Sequence, residues 1–100
     1  MHEFSILYRW RLAPGKEEQF QQAWERITRA LLAERNSLGS RLHLAADGTW
    51  VAYAQWPDQD TWQRSMDAGS LDPEASAQMA DAITESFDPI LLRPISDYLK

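Results

Sequence analysis

From Phe4 to Leu12 the side chains alternate: Phe4, Ile6, Tyr8, Trp10 and Leu12 on one parity, Ser5, Leu7, Arg9 and Arg11 on the other. A period of two sustained over nine residues specifies a strand. Pro14-Gly15 stops it, and Glu17 and Glu18 then occupy the first turn of a helix, where carboxylates complement the exposed N–H groups. Beyond them Phe20, Ala23, Trp24, Ile27, Ala30 and Leu31 fall on one helical stripe, with Gln22, Glu25, Arg26 and Arg29 opposite. The period has changed from two to 3.6, so a strand with one apolar face is followed by a long amphipathic helix ending near Arg35. Each has an apolar side to bury, and each is the natural cover for the other.

The remaining segments extend this unit. Asn36 to Gly39 carries turn residues, and a second strand is expected from about Ser40 to Ala45. Asp47-Gly48 signals a hairpin into a third strand, Thr49 to Trp56, closed by Pro57. Asp58 or Asp60 caps a short helix bearing Trp62 and Met66 that stops near Gly69. Asp72-Pro73-Glu74 starts a further helix, with Met79, Ala82, Ile83 and Phe87 on its apolar side, until Asp88-Pro89 ends it. The last strand is expected over about Ile90 to Tyr98. Pro94 has no N–H for a ladder, which puts that strand at an edge. The order β-α-β-β-α-β, with the second helix in two pieces, is the ferredoxin-like α+β arrangement of one four-stranded antiparallel sheet, in the order four-one-three-two. Residues 1–100 thus read as a single domain.

Several function classes are disfavoured. A net charge of −5 does not suit a general nucleic-acid binder, and the third strand, TWVAYAQW, lacks the glycine and basic residue of an RNA-binding ferredoxin-like domain. The absence of cysteine removes thiol nucleophiles and thiolate metal sites. His2 and His43 are the only histidines, so no metal-ligand cluster stands out, and there is no GxGxxG, P-loop or G-x-S-x-G. No apolar run approaches the ~20 residues of a membrane span and no signal peptide is evident, which makes the cytoplasm the default location.

The alternation sorts the side chains into two faces. Ile6, Tyr8, Trp10, Leu42, Leu44, Ala52, Ala54 and Trp56 suit the apolar helices. Leu7, Arg9, Arg11, Arg41, His43, Val51, Tyr53 and Gln55 form the bare face, a mixed apolar and cationic surface of the kind that marks an interface. His43, Arg41 and Tyr53 are the catalytic candidates: an imidazole base, a guanidinium for an anionic oxygen and a phenol close by. The same residues read more readily as a hydrogen-bonded interface network, since strand parity puts them on the face opposite the helices. Arg9 and Arg11 form a cationic wall or a solvated surface. On the helix side, Tyr8, Trp10, Trp24, Trp56 and Trp62 either surround a flat, dry pocket for an aromatic ligand or interlock as core.

YRWRLAPGKEEQF (Tyr8 to Phe20), GSRLH (Gly39 to His43) and AYAQWP (Ala52 to Pro57) together resemble the antibiotic biosynthesis monooxygenase-like family. The resemblance implies a homodimer in which two sheets pack face to face as an α+β barrel, with a ligand cavity between each sheet and its own helices. It also implies oxidation of a phenol, anthrone or quinol by O₂ without flavin, metal or other cofactor, since the deprotonated substrate itself reduces oxygen. A haem-degrading branch uses an Asn on the first strand and a late His. This chain has neither. The rival expectation is a non-catalytic ligand-binding or stress-related protein of the same fold.

Overall fold

The computed structural model describes residues 3–99; His2 lies outside them. Strand β1 (Phe4–Leu12) leads into helix α1 (Glu17–Glu34), then β2 (Gly39–Leu44), β3 (Trp50–Trp56), α2 (Gln59–Ala68), α3 (Pro73–Ala82), β4 (Ile83–Ser86) and β5 (Ile90–Leu92). The sheet order is β2-β3-β1-β4, with β5 also on β1, and every pairing is antiparallel. This is an open ferredoxin-like α+β sheet with three helices.

The β2–β3 hairpin turns as its sequence demands. Gly48 takes φ 87°, a left-handed value that glycine adopts freely, while the Asp47 carboxylate accepts the Thr49 N–H at 2.9 Å. At the two helix starts, Asp58 accepts from the Thr61 N–H and Asp72 from the Ala75 N–H, each quenching an orphan donor of the first turn. Asp72 is also gripped by Arg26 of α1, whose Nε and Nη2 donate at 3.0 and 2.9 Å. Asp72→Ala should lower stability by about 1 kcal/mol through the lost cap, read as an earlier urea midpoint; the half-exposed Arg26 pair adds little.

The C-terminal third departs from expectation. The helix continuing through Ile83 and Phe87 ends at Ala82 instead, and Ile83–Ser86 is a strand. Helical periodicity lost to an unpaired ladder: β1 has a second edge, and Ile83 and Thr84 are β-branched residues suited to it. Register runs Leu12↔Ile83, Arg11↔Glu85 and Trp10↔Ser86, while the Ala13 N–H donates to the Ala82 carbonyl and the Phe87 N–H to that of Arg9. The last strand covers Ile90–Leu92 rather than reaching Tyr98, and pairs with Ser5–Leu7. β4 and β5 thus share the edge position on either side of Asp88-Pro89. Pro94 lies beyond both.

Helix α1 covers the sheet on the face read as apolar. Phe20 and Ala23 are fully buried, Ile6, Ala52, Ala54 and Trp56 lie beneath the helical layer, and Phe4, Trp62, Tyr8 and Leu31 complete the cluster. Leu44, which alternation puts on the same face, is 61% exposed instead: it ends the edge strand β2, where an open groove separates that strand from α1. No described helix is long and apolar enough to cross a membrane.

Candidate functional site

A cavity of about 280 Å³ opens between the helix side of the sheet and the three helices. Its floor is Tyr8 of β1 and Trp56 of β3, both directed there by strand parity. Ile27 and Leu31 of α1 form one wall; Trp62, Ser65 and Met66 of α2 form the other. The Gly69–Asp72 loop and Ser76 of α3 close the far end. Gly69 takes φ 82° and turns the chain sharply out of α2, which lets so short a loop cross the cavity.

Two hydrogen-bonded ends frame this apolar body. At the floor, the Trp62 indole Nε1–H donates to the Tyr8 hydroxyl at 3.0 Å. Burial pushes the Tyr8 pKa up, and the Trp62 hydrogen bond offsets that only in part, so the phenol stays neutral across the physiological range. Trp10 stacks on Tyr8 at 5.8 Å and 8°, and Phe4 packs on Trp62 at 5.7 Å, which fixes both rings. At the loop end the Ser70 and Ser76 hydroxyls share a hydrogen bond of 2.6 Å. Arg35 holds this end by donating from Nη1 to the carbonyls of Ser65 and Gly69 at 2.9 and 3.3 Å.

The sequence candidates divide between places. Tyr8, Trp56 and Trp62 line the cavity. Trp10 does not; it is wedged between Tyr8 and the Phe20 ring, 5.1 Å away. Trp24 lines a separate, open groove of about 560 Å³ between α1 and β2, shared with Leu42, Leu44, Trp50, Arg41 and His43. Arg41 and His43 are exposed on β2, opposite Tyr53 and Val51 respectively, and neither lines the cavity. The Tyr53 hydroxyl instead meets the Ser5 hydroxyl at 3.0 Å and accepts from Gln55 at 3.4 Å. Ser65, Ser70, Ser76 and Met66 were not anticipated as pocket residues. Only the Gly69 stop hinted that this segment folds back. Among the described residues no group of three His, Asp or Glu side chains could hold a metal ion.

The bare face carries its own tensions. The Arg9 guanidinium lies 5.1 Å over the Phe87 ring, and its Nε is buried without a hydrogen-bond partner among the described residues. Pro94 and residues 96–99 approach Ser5, Tyr53 and Gln55 on this side. Ile95, Tyr98 and Leu99 of that segment are 81%, 91% and 81% exposed.

The sequence profile of the antibiotic biosynthesis monooxygenase family matches residues 4–72. Among solved structures, SnoaB, a cofactor-independent oxygenase from Streptomyces nogalater, is similar over 100% of both chains, with a TM-score of 0.78 at 18% identity. Rv0793 from Mycobacterium tuberculosis is similar over 97% of this chain and 99% of its own, with a TM-score of 0.77 at 14% identity. No curated protein sequence matches significantly. Identities this low carry the fold, while the profile carries the family: the chain belongs to the antibiotic biosynthesis monooxygenase family.

Proposed function

We propose that this chain is a cofactor-independent monooxygenase acting on a small aromatic of phenol, anthrone or quinol type. The observation that carries the reading is the cavity itself. Its walls are aromatic and aliphatic, it lies beside the core, and its few polar groups sit at its two ends, a combination that suits a flat ligand with an oxygen substituent. A substrate of this class needs little from the protein. Once deprotonated it is rich enough in electrons to reduce O₂; oxidation of an anthrone methylene to a carbonyl places one oxygen atom in the product and the other in water. The pocket supplies orientation and keeps water from the reacting carbon. Family membership and the likeness to SnoaB support this reading.

Oxygen-electrode assays with a panel of phenols, quinols and anthrones test it. Uptake stoichiometric with product, well above the rate without protein, is the expected result. Saturable binding with no uptake across the panel would leave the non-catalytic ligand-binding alternative in possession of the same cavity.

The functional unit we propose is a homodimer joined through the bare sheet face, in the cytoplasm. The partly covered Leu7, Val51 and Tyr53, the unpartnered Arg9 Nε and the exposed apolar tail all support a second copy there. His43 then belongs to the interface rather than to the chemistry. His43→Ala should keep oxygen uptake per dimer within about twofold while weakening association, whereas a positioned general base would cost roughly 10²-fold. Uptake and light scattering on the same sample separate the two.

A further inference from the structure

We infer that Tyr8, oriented by Trp62, is the residue that selects the ligand, by donating its hydroxyl proton to a phenol, phenolate or carbonyl oxygen on a ring of two-ring size. This rests on the proposed use of the cavity as an aromatic site, but not on turnover.

The direction of the hydrogen bond carries the inference. An indole N–H can only donate, so in the 3.0 Å contact the Tyr8 oxygen is the acceptor and its proton is not engaged by Trp62. The contact with Trp62 is the only hydrogen bond of the Tyr8 hydroxyl among the described residues, and Tyr8 and Trp62 both line the cavity. A hydroxyl that already accepts is a stronger donor, because the two bonds polarise one another. Burial keeps that proton on the oxygen. The ring has little freedom to aim it elsewhere, being stacked on Trp10. The floor therefore offers one oriented donor to whatever enters, and a ligand without an acceptor oxygen leaves it unsatisfied. Size sets the rest of the class. A dry cavity of about 150 Å³ accommodates one benzene ring, so about 280 Å³ takes two fused rings with a substituent.

The test uses 2-naphthol and naphthalene, a pair differing only in the oxygen. Binding is followed through the indole ¹H–¹⁵N resonances, with thermal melting to confirm folding. Wild-type protein should prefer 2-naphthol by roughly tenfold, the worth of one well-made hydrogen bond. Tyr8→Phe should abolish that preference and leave the naphthalene affinity unchanged. Trp62 acts through Tyr8 as a positioning residue, so Trp62→Phe should reduce the preference in part; a loss of shape alone would weaken both ligands equally and leave their ratio intact. A wild-type ratio near one overturns the assignment without any variant, as does Tyr8→Phe protein that still prefers the naphthol. If wild-type protein binds neither compound, the aromatic-site reading falls and the assignment with it. Binding of both without discrimination removes only the role of Tyr8.

Discussion

Phe20→Ala is expected to destabilise the protein by about 4 kcal/mol, the usual cost of removing a large aromatic from a closed core. Phe20 is fully buried, and its ring lies 5.1 Å from that of Trp10 and 6.2 Å from that of Trp50. It joins α1 to β1 and β3 at once. The two tryptophans are partly exposed and anchored on different strands, so they cannot close over the gap without disturbing the ladder between them, where Trp10 faces Trp50. Against a typical stability of about 5–15 kcal/mol this is a large fraction. The melting temperature should fall by roughly 15–30 °C at fixed protein concentration. Leu44→Ala provides the contrast. Its side chain already meets solvent, and its loss should change stability by no more than about 0.5 kcal/mol. A Phe20→Ala protein that melts within a few degrees of wild type would mean that α1 is held by its polar clamps rather than by this cluster.

The same geometry explains which parts of the fold were legible in the residues. β1, α1, the hairpin and both aspartate caps follow from local signals: a period, a turn pair, a carboxylate before a helix. Ile83 and Phe87 misled because helical spacing is a statement about one segment, whereas the demand of the second β1 edge is a statement about another. Ile83–Ser86 satisfies N–H and C=O groups seventy residues away in the chain, and no window around Ile83 contains that fact. Pro94 pointed correctly to an edge, but the edge strand had already ended at Leu92.

The cavity was readable to the extent that strand parity reaches. Tyr8 and Trp56 share the helix-side face by alternation, and Trp62 follows two turn signals that bring α2 back over the sheet. Trp24 shows where parity gives out. One residue on a helix is a rotation of about 100°, enough to place Trp24 over the β2 edge while Ala23 and Ile27 face the centre. The serines at the far end depend on the path of the Gly69–Asp72 loop, which Arg26 of α1 and Arg35 at its end fix through contacts 46 and 34 residues distant in sequence. His43 drew notice through its chemistry alone. Its strand position already assigned it to the face away from the pocket.

That face is the site of the other large expected effect. In the homodimer proposed above, Val51→Lys should raise the dissociation constant by roughly 10³-fold or more, because an unpaired buried ammonium costs several kcal/mol and a two-fold interface would carry it twice. Val51 sits on the central strand β3, opposite Arg9 of β1 on one side and His43 of β2 on the other. A lysine there sits beside the Arg9 guanidinium, and no carboxylate on either neighbouring strand at that level neutralises it. The isolated subunit should tolerate the change, since one face of an antiparallel sheet can remain in water. Val51→Asp separates charge from shape. Its carboxylate falls between Arg9 and His43 and can be paired by the former, so its effect on association should be much smaller. Sedimentation across a dilution series, with circular dichroism to confirm the fold, measures both. Val51→Lys protein that dimerises as tightly as wild type would show that the copies meet elsewhere. The exposed Ile95, Tyr98 and Leu99 would then be the next surface to probe, while the cavity, which lies on the other face of the sheet and is lined by residues of one chain, would keep its assignment unchanged.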